Sequence, residues 1–223
     1  MRAAGAEVLV LERLSGTGGS SAMSGGVCYL GGGTPLQKAL GFDDSVEAMH
    51  DFMVAAGSLH PALDKIALYC EHSLEHFQWL VDHGVHYAQK YSEYKELPFD
   101  DASLYYSGSE LAYPWRDIAR PAPRGHVPSV MGHTGGRALM EALIPAAASA
   151  GARILGGVSC ERLIREGDGR ISGMLITEAE VPKSVRARRA VVLACGGFIH
   201  NREMLRRYAP ELHDCSTPWA SAG

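Results

Sequence analysis

Several kinds of pattern are absent from this sequence of 223 residues. The five cysteines are odd in number and include no CxxC pair, which argues against both a disulfide framework and a zinc knuckle. No apolar run is long enough to cross a bilayer. We find no secretory signal in the opening residues, so we expect a cytoplasmic protein without a membrane span.

Charge of one sign is also not concentrated anywhere. The formal net charge is −4, and the 21 lysines and arginines are scattered along the chain. This distribution argues against nucleic acid as the main partner. Hydrophobic residues make up 46% of the sequence, which is enough for a substantial core.

What the sequence does have is a glycine and serine run close behind a short apolar segment. The segment "AEVLVLER" predicts a buried strand over Glu7–Leu11 that ends at Glu12, and "GTGGSSAMSGG" follows at residues 16–26. In dinucleotide-binding folds an acidic residue at such a strand end accepts hydrogen bonds from a ribose hydroxyl. Glycines allow backbone to approach a phosphate closely. The alternative for Glu12 is a solvated strand end.

The stretch "VLVLERLSGTGGSSAMSGG" resembles the second strand and following loop of flavoproteins in the fumarate reductase and succinate dehydrogenase superfamily. The resemblance implies FAD as the cofactor, with Glu12 and its neighbour Arg13 at the adenosine ribose. It also implies that small residues run along the diphosphate and the flavin edge, namely Gly18, Gly19, Ser20, Ser21, Ser24, Gly25 and Gly26.

A second block, over residues 132–198, resembles the same family. A helix is predicted to start at Thr134–Gly136 and to stop at Gly151, followed by a strand in "RILGGVSCERLIRE". A "GDG" turn leads into "RISGMLIT", and "VRARRAVVLACGGF" at 185–198 predicts a further strand. The resemblance implies that the Val158 backbone touches the adenine, and that Ala194, Gly196 and Gly197 lie beside the FAD.

The segment between the two blocks is predicted to be helical first and irregular later. A helix is predicted after an N-cap at Ser45 or Asp44, and one long helix between Pro61 and Gly84, so that 45–84 is mostly helical. His72 and His76 have metal-ligand spacing, but the sequence places no third ligand, so no metal site is predicted.

An aromatic stretch follows, "QKYSEYKELPFDDASLYYSGSELAYPWRDIARPAPRGHVP". Tyr105 and Tyr106 are candidates for the wall of a substrate pocket; the alternative is a long loop packed by its own aromatic side chains. Arg120, Arg124 and His126 are candidates to anchor an oxygen or a carboxylate.

Three further stretches narrow the resemblance. "SSAMSGGVCYLGGGTPLQKALGFDD", "SLYYSGSELAYP" and "RPAPRGH" are similar to the 3-oxosteroid dehydrogenase branch. This implies an FAD-dependent oxidoreductase that acts on CH–CH bonds and passes hydride from a 3-oxosteroid or related ketone to flavin. The alternatives are a fumarate reductase-like protein acting on an unsaturated acid, and an inactive truncated FAD-binding fragment.

The predicted fold class is α/β, a partial Rossmann-like FAD-binding domain over residues 1–223. Its nucleotide-binding core would be 1–35 and 132–200, with a helical and aromatic-loop insert at 36–131. The GxGxxG turn that normally lies about 20 residues before the acidic residue is not in the sequence. The resemblance therefore implies an internal fragment without the family's catalytic domain, whose catalytic residues are unknown. We expect weak or no FAD binding and no turnover from these residues alone, unless a partner chain supplies the missing segments.

Overall fold

A computed structural model describes residues 5–57 and 59–214 of the protein. The described residues form two compact units. One unit is residues 21–146, and the other combines the described parts of 1–20 and 147–223. Cys215 lies outside the described residues.

Helices and short strands alternate along the chain. The helices are α1 Gly19–Met23, α2 Pro35–Ala39, α3 Val46–Ala56, α4 Leu63–Glu71, α5 Ser73–Asp82, α6 Trp115–Ile118, α7 Gly135–Ser149, α8 Arg202–Tyr208 and α9 Pro210–His213. The strands are β1 Leu9–Leu11, β2 Cys28–Tyr29, β3 Leu104–Tyr105, β4 Gly125–His126, β5 Arg153–Leu155, β6 Val158–Arg165, β7 Ile171–Glu178 and β8 Val181–Arg186.

The helical prediction for 45–84 is confirmed, with one difference. Ser45 caps α3, because its side chain accepts a hydrogen bond from the Ala48 N–H at 3.1 Å. The single helix predicted between Pro61 and Gly84 is instead two helices, α4 and α5, which meet at His72. The break falls next to the buried Ser73, whose hydroxyl accepts a hydrogen bond from the Gly31 N–H at 2.8 Å.

The core of the 21–146 unit lies between α5 and a small antiparallel sheet with the strand order β2–β4–β3. The buried core residues come from α2, α5 and the chain around these strands: Leu30, Leu36, Phe77, Leu80, Val85 and Leu104. The stretch over residues 89–128, predicted to be irregular, supplies two of the three strands, β3 and β4.

In the other unit, β1 and β5 form a parallel pair with Leu9 opposite Arg153. The strand predicted over Glu7–Leu11 is therefore confirmed at Leu9–Leu11, and Glu12 follows it directly. The chain predicted as one strand from residue 153 is divided at Gly156 and Gly157 into β5 and β6.

The predicted hairpin after β6 is confirmed. β6, β7 and β8 form an antiparallel sheet in that order, with irregular register near Cys160 and Ile164. The second hairpin, between β7 and β8, has a two-residue turn at Ala179 and Glu180. Both turn residues have positive φ, at 48° and 64°.

The strand predicted over 185–198 is wrong. β8 occupies Val181–Arg186, and within the described residues 187–200 no strand is present. A strand needs a hydrogen-bonding neighbour, and the backbone contact here stops where the Ala187 N–H donates to the Ser172 carbonyl at 2.8 Å. Val192 and Leu193 are consequently exposed.

The helix predicted from Thr134–Gly136 is confirmed as α7, and Pro145 lies inside it. Gly151 follows its end with φ at +86°. Among the described residues no helix is both long enough and apolar enough to cross a membrane. The mixture of helix and sheet agrees with the predicted α/β class, whereas the Rossmann-like arrangement and the division into core and insert stay predictions.

Candidate functional site

Glu12 stands at the end of β1, where the backbone holds it firmly. Its N–H donates to the Leu155 carbonyl at 2.8 Å, which extends the parallel pair by one residue. One carboxylate oxygen, Oε1, accepts a hydrogen bond from the Leu14 N–H at 2.9 Å. The second oxygen has no hydrogen-bond partner within residues 5–57 and 59–214, so it can accept a bond from a ligand hydroxyl. Arg13 beside it is exposed.

Val158 lies next to Glu12 in the same unit. Its side chain is buried, and its N–H donates to the Glu12 carbonyl at 2.9 Å. The structure thus brings together two residues that are 146 positions apart in sequence, at one end of β1. Because the Val158 N–H is already used, an adenine contact by Val158 would have to involve its carbonyl oxygen.

The first glycine turn has open space beside it. A Cβ built on Gly16 or Gly19 would meet no heavy atom within 4 Å. Gly18 and Gly19 have φ of 114° and 51°, a conformation that favours glycine. Gly19 also begins the short helix α1, in a stretch predicted as loop.

Gly196 and Gly197 share this property, since a Cβ on either would also meet nothing within 4 Å. Both are exposed, as is Ala194, and Gly196 has φ of +71°. Neither packing nor a strand explains the pair of glycines, which leaves their surface open to a close backbone contact.

The second glycine turn is closed by the start of α7. A Cβ on Gly26 would lie less than 3.0 Å from the backbone of Gly135 and Gly136. A Cβ on Gly136 would lie equally close to the carbonyl oxygens of Ser21 and Ser24. The Gly136 N–H also donates to the Ser24 carbonyl at 3.1 Å. These glycines are required by packing inside the protein.

Hydroxyl groups in this second turn are used locally. The Ser24 hydroxyl donates to the Ser21 carbonyl at 2.8 Å and accepts from the Gly26 N–H at 3.1 Å. Gly25 faces the Leu97 side chain, which a Cβ would also touch. Ser24 therefore stabilises the turn itself. Ser21 is exposed, and Ser20 lies in α1.

The predicted cofactor residues fall in both units. Glu12, Arg13, Gly18, Gly19, Ser20, Val158, Ala194, Gly196 and Gly197 belong to one unit, and Ser21, Ser24, Gly25 and Gly26 to the other. Within the first group, a backbone hydrogen bond connects Val158 to Glu12. Within the second, a backbone hydrogen bond connects Gly136, at the start of α7, to Ser24 in the glycine turn.

The two candidate pocket tyrosines have different surroundings. Tyr105 is buried in β3, and its ring fills the space over Gly125. Tyr106 is half-buried and packs edge-on against Phe42 and Tyr91, with ring centroids 6.5 and 6.4 Å apart. Burial raises the pKa of both phenols, so their hydroxyls stay protonated at neutral pH and can donate a hydrogen bond.

Arg124 already holds a carboxylate, but that carboxylate is Asp44 of the same unit. Arg124 donates from Nε to Asp44 Oδ2 at 3.0 Å and from Nη2 to Oδ1 at 2.7 Å, and both side chains are fully buried. Burial pushes the pKa of Asp44 upward, but the hydrogen bonds and charge of Arg124 outweigh it and hold that pKa below its usual range. Arg120 donates from Nη1 to Asp43 Oδ2, a single contact between exposed side chains.

His126 is also used internally. Its Nδ1 lies 3.0 Å from the Arg124 carbonyl, and its Nε2 lies 2.9 Å from the Thr34 hydroxyl. Burial lowers the pKa of His126 to about 4, so the ring is neutral at physiological pH. The neutral ring then donates from Nδ1 and accepts at Nε2 from Thr34, whose oxygen accepts in turn from the Gln37 N–H.

Sequence reasoning missed the buried polar groups around the "GGGTP" segment. Asp44 accepts from the Gly32 N–H at 3.0 Å, and Gln37 accepts from the Thr34 N–H at 2.8 Å. Glu110 is fully buried as well. No local pattern links Asp44 to Arg124, which lies 80 positions later. The available signal was that Asp44 stands next to Ser45, which caps α3 by itself and so leaves the Asp44 carboxylate for another partner.

Comparison with known proteins places these features in a wider context. The profile of the FAD binding domain family matches residues 1–223. The chain is 32% identical over 216 residues to the 3-oxo-5-alpha-steroid 4-dehydrogenase of Comamonas testosteroni. That alignment covers 93% of this chain and 40% of the relative.

Solved structures agree in fold. The crystal structure of 3-ketosteroid-delta4-(5alpha)-dehydrogenase from Rhodococcus jostii RHA1, in complex with 4-androstene-3,17-dione, superposes with a TM-score of 0.87 at 46% identity. It is matched over 94% of this chain and 44% of its own. An open conformation of a flavocytochrome c3 fumarate reductase has a TM-score of 0.76 at 24% identity, over 97% of this chain and 34% of its own. The chain thus spans less than half the length of these relatives.

Proposed function

We propose that this chain, which belongs to the FAD binding domain family, is the cofactor-binding part of a flavoenzyme that dehydrogenates a 3-oxosteroid or a related ketone. The observation that carries the substrate class is the likeness to the two steroid dehydrogenases, which extends over nearly the whole chain. FAD, when bound, would supply the hydride-accepting chemistry, and the chain described here would supply its binding and orientation.

Glu12 is the proposed ribose ligand. Leu14 fixes one carboxylate oxygen at 2.9 Å, which orients the side chain and leaves the other oxygen to accept from ribose hydroxyls. The parallel pairing of β1 with β5 places this acid at a strand end, as in dinucleotide-binding folds. We therefore propose that the β1–β5 pair belongs to a Rossmann-like core with Val158 beside the adenine.

Open glycines support close contact with the cofactor. The space beside Gly16 and Gly19 is open to a diphosphate, and Gly196 and Gly197 have the same openness. Gly18 has a φ of 114°, which favours glycine. For Ser24, Gly25 and Gly26 we propose an indirect role. Their turn is fixed against the start of α7 within the 21–146 unit.

Tyr105 and Tyr106 are proposed to face the substrate region. Their phenols are protonated at neutral pH, which suits donation to a ketone oxygen and does not suit proton abstraction. Tyr106 is the better candidate for contact, because Tyr105 is almost wholly buried.

The two candidate arginines of this region, Arg120 and Arg124, are already paired within the chain. A fumarate reductase-like function calls for guanidinium groups that receive substrate carboxylates. Arg120 and Arg124 instead pair with Asp43 and Asp44 of the chain itself. The fumarate reductase alternative stays a second candidate, because fold similarity and sequence similarity to a probable fumarate reductase both support it.

The test compares two glutamates. Glu12→Gln is expected to raise the dissociation constant for FAD about 5- to 150-fold, the equivalent of losing about 1–3 kcal/mol of charged hydrogen bonding. Glu166→Gln is the matched control, because Glu166 is exposed in the β6–β7 hairpin. Affinity is measured by titrating the protein with FAD and following the quenching of flavin fluorescence.

Dye reduction then separates the substrate classes. For this chain completed to the length of its relatives and loaded with FAD, the proposal expects electrons to reach an artificial acceptor when a 3-oxosteroid is added, whereas residues 1–223 alone are expected to show no turnover. Oxidation of a reduced dye by fumarate, with no response to the steroid, would support the alternative. An absence of FAD binding by the unmodified protein would support the inactive fragment.

A further inference from the structure

The Tyr106 side chain is packed at its ring and unbonded at its hydroxyl. Tyr106 follows directly after β3 and is half-buried. Its hydroxyl has no hydrogen-bond partner among the described residues and, unlike the hydroxyls of Tyr29 and Tyr87, it is not sealed from solvent. Hydrogen bonding within the described chain therefore does not orient this side chain, so its direction must come from the packing of the ring.

Three aromatic rings meet at this position, and each of them packs against the other two. The Tyr106 ring meets Phe42 and Tyr91 edge-on, with centroids 6.5 and 6.4 Å away and interplanar angles of 90° and 86°. The Phe42 and Tyr91 rings themselves lie 4.8 Å apart at 54°. Edge-to-face contacts favour one ring orientation, because the positive edge of one ring faces the negative face of another. Phe42 and Tyr91 thus hold the Tyr106 ring in one direction.

The backbone of Tyr91 is bonded to the strand that leads to Tyr106. The Ser92 N–H donates to the Leu104 carbonyl at 2.9 Å, and the Leu104 N–H donates to the Lys90 carbonyl at 3.3 Å. Tyr91 and Leu104 thereby form a single parallel bridge. Because Leu104 lies only two residues before Tyr106, the Tyr91 ring keeps a fixed place relative to Tyr106.

Phe42 is held by a different element, the turn after α2. Its N–H donates to the Gln37 carbonyl at 2.9 Å, and the Gln37 side chain is fully buried. Both Phe42 and Tyr91 pack against the hydrophobic core of the 21–146 unit. The two rings that orient Tyr106 are therefore anchored in the core, while the Tyr106 hydroxyl stays available to a ligand.

We propose that Phe42 and Tyr91 are positioning residues, which hold the Tyr106 ring so that its hydroxyl is aimed at the ketone oxygen of the substrate. This inference rests on the function proposed above, in which Tyr106 donates to a 3-oxosteroid or a related ketone. Phe42 and Tyr91 act through Tyr106 and do not themselves donate to the substrate. A donor held in place before the reaction needs no reorganisation as negative charge develops on the oxygen, so its position affects kcat more than KM.

Tyr91 has a phenol of its own, so the effects of its ring and of its hydroxyl must be separated. Burial raises the pKa of the Tyr91 phenol, which is therefore also protonated at neutral pH and able to donate. Tyr91→Phe removes only the hydroxyl, whereas Tyr91→Leu removes the ring as well. Tyr91→Phe is expected to keep kcat within about twofold of the parent, and Tyr91→Leu to lower it about tenfold.

The test is a double-mutant cycle in the chain completed to the length of its relatives and loaded with FAD. Tyr106→Phe should lower kcat for a 3-oxosteroid about 100-fold, as the loss of one donor to a developing oxyanion does. Tyr91→Leu and Phe42→Leu should each lower kcat about tenfold in the parent but have no further effect in the Tyr106→Phe background. A merely structural role would lower kcat equally in both backgrounds. Tyr91→Met and Phe42→Met replace any leucine variant that does not retain flavin.

Tyr94→Leu is the matched control, since Tyr94 is an exposed tyrosine three residues after Tyr91. It should leave kcat unchanged in both backgrounds. Additive effects of the leucine changes and Tyr106→Phe would overturn the positioning role, as would a loss in Tyr91→Phe as large as that in Tyr91→Leu. An absence of steroid turnover by the completed parent protein would instead overturn the proposed function, and the positioning role with it.

Discussion

Two sets of glycines in this protein serve opposite purposes. Gly26, Gly135 and Gly136 form a closed set, because a Cβ on any of them would collide with backbone atoms of the same unit. Gly16, Gly19, Gly196 and Gly197 form an open set, since a Cβ on any of them would meet nothing within 4 Å. Both sets stand in glycine-rich stretches that look alike in sequence.

The difference teaches how such stretches should be interpreted. In the closed set glycine permits the start of α7 to pack on the turn after α1, which is a property of the fold. In the open set, packing within the described chain gives no reason for glycine. The closed set is therefore expected to respond to substitution through stability, and the open set through the affinity for FAD.

The largest effect is expected for Gly136→Ala. The new methyl group would lie less than 3.0 Å from the Ser21 and Ser24 carbonyl oxygens, and backbone atoms cannot move aside cheaply. Overpacking of this kind costs about 1–3 kcal/mol and occasionally more, and we expect about 4 kcal/mol here. Urea denaturation monitored by circular dichroism measures the loss.

Gly16→Ala is the matched control for this substitution. Gly16 is exposed and open, and its free energy of unfolding should change by less than about 0.5 kcal/mol. Equal destabilisation by the two alanines would mean that the closed and open sets do not differ in packing.

The 21–146 unit, which contains the closed set, should also lose stability in mild acid because of His126. Its pKa is lowered to about 4 by burial, whereas an unfolded histidine titrates near 6.5. Between these values the unfolded state binds the additional proton, so stability is complete above about pH 6.5 and is lost as the pH falls toward 4. A difference of 2.5 pKa units corresponds to a loss on the order of 3 kcal/mol.

His126→Gln isolates this contribution. The variant should have a lower free energy of unfolding at pH 7 but a flatter dependence between pH 4 and 6.5. The exposed His76 provides the control, and His76→Gln should retain the full slope. An unchanged slope in His126→Gln would contradict the assignment.

Gly197→Ala examines the open set. Its stability should stay within about 0.5 kcal/mol of the parent protein. If the exposed backbone at Gly197 approaches FAD, the added methyl group should raise the dissociation constant at least about fivefold, equal to about 1 kcal/mol. Flavin titration of both proteins measures this, and equal affinities would remove Gly197 from the cofactor site.

Local signals in the sequence predicted the elements that depend on neighbouring residues. The cap at Ser45, the stop after α7 and the hairpin between β6 and β7 each follow from a few adjacent residues. Glu12 at the end of β1 also follows from its own segment. Recognition of the FAD-binding family likewise depended on contiguous motifs, and the family match confirms it.

Long-range pairing could not be predicted in the same way. The strand expected at 185–198 has suitable β-branched residues, but a strand forms only where a neighbour supplies hydrogen bonds. Arg124 and His126 looked like ligand anchors because their sequence does not reveal Asp44 and Thr34 as partners. Likewise, Gly26 is distinguished from the open glycines only by its contact with α7, which begins more than 100 residues later.

The turn between β7 and β8 is a third case, because its two residues have the positive φ that favours glycine although neither is glycine. Ala179 and Glu180 have φ of 48° and 64°, and two-residue turns of this kind favour Asn followed by Gly. The double change Ala179→Asn with Glu180→Gly should stabilise the protein by about 0.4–1 kcal/mol, since glycine relieves the strain of positive φ.

Ser184→Gly in β8 is the control, and it should destabilise by about 0.5–1 kcal/mol because strand interiors do not favour glycine. Thermal unfolding of the three proteins measures both effects. A stabilised Ser184→Gly variant, or a turn variant that loses stability, would mean that positive φ at this turn does not create a need for glycine.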